Sequence, residues 1–104
     1  MNDYQELASK TCGAYGLDMR IMSALGLAGE SGEVCDLIKK AIFHGHPVEF
    51  EKLEKEIGDV LWYVAILAQS HGFKLEEIAQ KNIAKLRKRY PEGFSTERSK
   101  NREE

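Results

Sequence analysis

Two short acidic phrases, Gly29-Glu-Ser-Gly-Glu33 and Glu56-Ile-Gly-Asp59, each set two carboxylates three residues apart. On an α-helix that spacing puts both members of a pair on one face. If a helix over 25–43 lies antiparallel to one over 50–70, Glu30, Glu33, Glu56 and Asp59 converge on one spot. Four convergent anions repel unless a cation sits among them, and hard oxygen ligands suit Mg²⁺ or Mn²⁺. The chemistry open to such a site is the activation of a bound water near neutral pH. With two ions, it extends to clamping both ends of an in-line displacement.

Charged residues three apart ordinarily decorate a solvated helix face. Their placement here argues otherwise. At about 100° per residue, the apolar face of helix 25–43 is Leu27, Val34, Leu37, Ile38 and Ala41. Glu30 falls inside its edge and Glu33 just beyond it. On the other helix Glu56 borders Val60 and Leu67, and Asp59 lies between Tyr63 and Ile66. Carboxylates in apolar stripes are expensive unless paired or metal-bound, and such breaks of a local pattern tend to mark functional sites.

The elements that must position these groups read as four helices. The first spans 3–15, with Asn2 or Asp3 as cap, and Gly13 and Gly16 break it. The second, capped by Asp18, runs to about Phe43 and carries Gly26, Gly29 and Gly32, a strip permitting close approach of a neighbouring backbone or ligand. His44-Gly45-His46-Pro47 forms a loop whose histidines read as solvated. The third helix runs from about Val48 to Ser70 and ends at Gly72. Its stretch Val60–Ala68 is apolar all round, for which a second subunit is the simplest cover. The fourth begins near Leu75 and stops at Pro91. Beside its apolar side of Ala79, Ile83, Leu86 and Tyr90 runs a polar strip, Asn82, Lys85 and Arg89. Two carboxylate pairs and a basic strip describe a polyphosphate site. Residues 1–95 form one domain and 96–104 a flexible polar tail.

Bulk properties narrow the class. A chain of 104 residues, 42% hydrophobic and 31% charged, is one soluble helix-rich domain. Its net charge of -2 provides no basic field for nucleic acid. The longest apolar run is too short to span a bilayer. Cys12 and Cys35 lack both CxxC spacing and a secreted framework, so reduced thiols and a cytoplasmic location are expected.

Glu30-x-x-Glu33, then 22 intervening residues, then Glu56-x-x-Asp59 resembles the signature of the all-α nucleoside triphosphate pyrophosphohydrolases. The chain is similar to a small single-domain MazG-type protein in its wording too. The phrases are Leu27-Ala-Gly-Glu-Ser-Gly-Glu-Val34, Glu56-Ile-Gly-Asp-Val-Leu61 and Asn82-Ile-Ala-Lys-Leu86, leading to Arg89-Tyr-Pro-Glu-Gly-Phe94. The resemblance implies an all-α, four-helix fold packing across a homodimer or, as a dimer of dimers, a homotetramer. It also implies Mg²⁺-dependent hydrolysis of NTPs or dNTPs to the monophosphate and pyrophosphate. Glu30, Glu33, Glu56 and Asp59 would be the metal ligands, with Asn82, Lys85 and Arg89 touching phosphate or sugar. Lys40 reads as an ion-pairing surface lysine, and Trp62 and Tyr63 as packing residues. Three alternatives stand beside this reading. A phosphoribosyl-ATP pyrophosphohydrolase shares the superfamily. A non-enzymatic helical dimerisation module would share only the fold. A di-iron bundle requires Glu-x-x-His motifs that the chain lacks.

Overall fold

The computed structural model describes residues 1–45, 47 and 49–93. They form four helices: α1 (Asn2–Ser9), α2 (Gly16–Phe43), α3 (Phe50–Ser70) and α4 (Leu75–Arg89). The all-α, four-helix reading holds. The expected tail at 96–104, together with His46 and Val48, lies outside the described residues.

Three boundaries differ from expectation, each for a local reason. Helix α1 stops at Ser9 rather than near Tyr15, because side chains compete for its last carbonyls. Ser9 Oγ donates to Glu6 O at 2.7 Å and Thr11 Oγ1 to Ala8 O at 2.7 Å. Its N-cap is Met1, with no side-chain cap. Helix α2 starts at Gly16, whose φ of +60° only glycine adopts at low cost, with extended Tyr15 as N-cap. Asp18 therefore sits in the first turn, where its charge still favours the helix dipole. The end of α3 is as expected. Gly72 takes φ +73°, and the Phe73 N–H reaches back to Ala68 O at 2.9 Å.

The long helices α2 and α3 form the main packed pair, antiparallel in one register along its length. At one end the Arg20 Nε–H donates to Ser70 O at 3.1 Å. Midway, Tyr63 lies against Gly26, and Glu30 meets Glu56 and Asp59. At the far end Lys40 and Glu49 line one hollow. The core sits towards the Arg20 end, where Ser23 and Ile66 are wholly buried beside Ala8, Ala65 and Leu75. Ser23 is tolerated there because its hydroxyl donates to Met19 O at 2.7 Å.

Helix α1 closes this end through one residue. Gln5, 5% exposed, donates from Nε2 to Phe73 O and accepts the Leu75 N–H on Oε1, both at 2.8 Å. One amide thus satisfies both sides of the α3–α4 turn. The Trp62 indole donates to Thr11 Oγ1 at 2.8 Å and ties α3 to the chain after α1.

The apolar stretch of α3 is covered only in part. Ala65, Ile66 and Ala68 are buried by the chain itself, so the expectation of a subunit cover does not apply to them. Val60 to Val64 and Leu67 are half-buried. Elsewhere large apolar groups stand in solvent: Leu17, Ile21 and Leu25 at one-turn intervals on α2, and Ile83 and Leu86 on α4.

Gln5→Ala should destabilise the chain by about 1–3 kcal/mol, because it strands a buried N–H and a carbonyl. Urea unfolding followed by circular dichroism measures this, and an unchanged midpoint would show the clamp to be dispensable.

Candidate functional site

Glu30 comes from the middle of α2, and Glu56 and Asp59 from successive turns of α3. One carboxylate oxygen from each lies within 4.8 Å of the others. Two opposite ligands held about 2.1 Å from one octahedral ion stand about 4.2 Å apart, so the trio has the dimensions of a small divalent site. Helix α2 holds Glu30 at the border of its packed face. Glu30 and Glu56 are half-buried, whereas Asp59 is exposed. The expectation that Asp59 is embedded in an apolar stripe is thus corrected: its side of α3 opens to solvent.

The fourth expected ligand, Glu33, stands exposed and outside this trio, though its charge still acts on Glu30. The Glu30 carboxyl is held above its ordinary value. A carboxyl–carboxyl hydrogen bond with Glu56 is the first cause, followed by desolvation and by the charges of Glu56, Asp59 and Glu33. Its Oε2 is sealed from water and has no protein hydrogen-bond partner. A buried anionic oxygen without a donor, amid three other acids, is what a cation would satisfy. The donor set is all oxygen and fits Mg²⁺ or Mn²⁺.

Lys40 bonds Asp36 at 3.0 Å, and this contact holds the Lys40 amine above, and the Asp36 carboxyl below, their ordinary values. Lys40 is the ion-pairing surface lysine expected. On α4, Asn82 and Lys85 are exposed, while Arg89 is half-buried with its guanidinium 5.9 Å from the centre of the Tyr90 ring. Helix α4 packs lightly against α1 and α3. His44 is exposed at the end of α2.

A profile of the MazG nucleotide pyrophosphohydrolase domain matches residues 21–94. The chain belongs to the MazG nucleotide pyrophosphohydrolase family. The matched span holds all three carboxylates of the trio, Glu33 and the polar strip of α4. The Gene 37 protein of Mycobacterium phage L5 is 37% identical over 73 residues, which cover 66% of this chain and 64% of that protein. The chain thus spans a little under two thirds of this relative's length. No solved structure matches the chain. Among the described residues, no helix is long and apolar enough to cross a membrane, and Cys12 and Cys35 are free thiols.

Two neighbours of the site were missed in the sequence. Tyr4 of α1 has its phenol held above the usual value, first by burial and then by the charge of Asp59. Nothing in the spacing of α1 could reveal this, because Tyr4 reads there only as part of an apolar period. Gly26 was read as one of three equivalent glycines. A Cβ there would strike Tyr63, whereas Gly29 and Gly32 have open space within 4 Å.

The raised pKa of Glu30 gives the metal-free protein a pH dependence. The folded chain holds this proton to higher pH than the unfolded chain does. Its penalty is therefore present at neutral pH and relieved as pH falls towards the unfolded value of 4.5. The Asp36 contribution runs oppositely but is lost only as pH falls below 3.8, so the two windows separate. In EDTA the melting temperature should rise between pH 7.5 and 5, and Glu30→Gln should melt higher than wild type at pH 7.5. A Glu30→Gln chain that melts lower at pH 7.5 would remove the repulsion from the account.

Proposed function

We propose that this chain is a Mg²⁺-dependent pyrophosphohydrolase of nucleoside or deoxynucleoside triphosphates, which it hydrolyses to the monophosphate and pyrophosphate. The observation that carries this reading is the convergence of Glu30, Glu56 and Asp59, with one oxygen sealed and unpartnered, inside a MazG domain. Glu30, Glu56 and Asp59 would hold the ion, with Glu33 beside them. When bound, Mg²⁺, or Mn²⁺ in its place, neutralises triphosphate charge and polarises water.

The remaining chemistry is assigned to the chain's own groups. Water adds across the α–β anhydride, one oxygen joining the α-phosphorus while pyrophosphate leaves. To Glu33, exposed and outside the tight trio, we assign acceptance of the water's proton. Asn82, Lys85 and Arg89 hold the phosphates or sugar, and the Arg fork suits paired phosphate oxygens. A homodimer or homotetramer acting in the cytoplasm completes the reading. Its support is the uncovered apolar ladder of α2 and the exposed Ile83 and Leu86 of α4, since faces of this kind mark association sites.

Pyrophosphate release from a panel of NTPs and dNTPs, with phosphoribosyl-ATP included, tests the activity. Glu56→Gln and Asp59→Asn should lower kcat by about a hundredfold or more, and EDTA should abolish turnover. Lys85→Ala should raise KM with little change in melting temperature. Full turnover in EDTA would overturn the metal role, and no turnover of any substrate would favour a helical binding module.

Sedimentation at micromolar concentration tests the assembly. Wild type should run as a dimer or tetramer, and Leu25→Glu with Ile83→Glu should shift it towards monomer. A well-folded wild-type monomer would refute association.

A further inference from the structure

We propose that Gly26 and Tyr63 act as a spacer pair that sets the separation of α2 and α3, and thereby the aperture of the Glu30, Glu56 and Asp59 carboxylates. Both are then positioning residues for a divalent cation, an inference that rests on the metal-dependent reading above.

Gly26 stands four residues before Glu30 on α2, and Tyr63 four residues after Asp59 on α3. Their contact is therefore one helical turn, about 5.4 Å, from the carboxylates. A Cβ built on Gly26 would fall among Cε1, Cζ and Cδ1 of the Tyr63 ring, all inside the 3.0 Å that real Cβ atoms essentially never breach. The ring thus rests directly on the backbone of α2. The ring has a second restraint. Trp62 packs edge-on to Tyr63 at 5.0 Å and 89°, and Trp62 is tethered in turn to Thr11. A stiff aromatic group resting on a bare backbone and contacting a tethered indole fixes one interhelical distance.

That distance matters because Mg²⁺ demands near-ideal octahedral geometry, and such sites tolerate only about 0.5 Å of misplacement. Any side chain at position 26 would push α2 away from α3 one turn from Glu30. Removing the ring would let the helices settle closer or slide. Either change should open or skew the trio while leaving each helix intact. The open space at Gly29 and Gly32 confines this spacing role to one of the three glycines.

The test is Mn²⁺ binding by the full chain at 10 °C, measured by calorimetry, with helical content checked by circular dichroism. Gly26→Ala and Tyr63→Ala should each weaken Mn²⁺ binding about tenfold or more, as expected of residues supporting ligands. Tyr63→Phe, which keeps the ring, and Gly13→Ala, whose surroundings are open, should bind like wild type. A purely structural role would lower melting temperatures while leaving the Mn²⁺ affinity of the folded chain unchanged, and that result overturns the inference alone. Should Gly26→Ala fail to fold, Tyr63→Ala against Tyr63→Phe carries the same decision. A wild-type chain that takes up no Mn²⁺ overturns the metal reading and this inference with it.

Discussion

The antiparallel pairing of α2 with α3 is the constraint on which the rest depends. It buries Ser23 and Ile66 at one end and drives Glu30 against Glu56 and Asp59 in the middle. The two outcomes oppose each other energetically. Apolar burial and close packing favour the pairing, while convergent carboxylates penalise it by keeping Glu30 protonated to higher pH. The fold tolerates that repulsion, and the proposed role of the site is to relieve it with a cation. A surface pair of acids would have neither the cost nor the use.

The remaining elements brace this pair. Helix α1 reaches over the core end, where Gln5 satisfies both sides of the α3–α4 turn. Its Tyr4 comes close enough to sense the charge of Asp59. Helix α4 leaves Ile83 and Leu86 outside and gains little cover from its own chain. A domain of this size buries about two thirds of its unfolded surface. Among the described residues, five apolar residues are buried here. Leu17, Ile21 and Leu25 of α2 likewise stay exposed, the faces on which the proposed association rests.

The acidic site was legible because its chemistry is local. Residues three apart on a helix share a face whatever the tertiary structure, so Glu30 with Glu33 and Glu56 with Asp59 could be paired from spacing alone. The four helices were legible because apolar period, Gly72 and Pro91 are local signals as well, and Glu30's place at the edge of an apolar face followed from helix geometry. Boundaries were read less well. Ser9 and Thr11 end α1 through side-chain bonds to its own carbonyls, a competition that periodicity does not register.

What only the tertiary structure decided is the interhelical register and everything that follows from it. Three of the four acids meet closely, while Glu33 stands exposed outside the trio. Of three identical glycines only Gly26 is filled by a neighbour, since only there does α3 present an aromatic ring. Tyr4 senses the charge of Asp59 because α1 packs on α3, which no spacing within α1 encodes. Helical periodicity fixes which residues share a face, but the contact between two faces depends on the rotation and offset of whole helices. Those are set by the sum of all their packing interactions rather than by any one phrase.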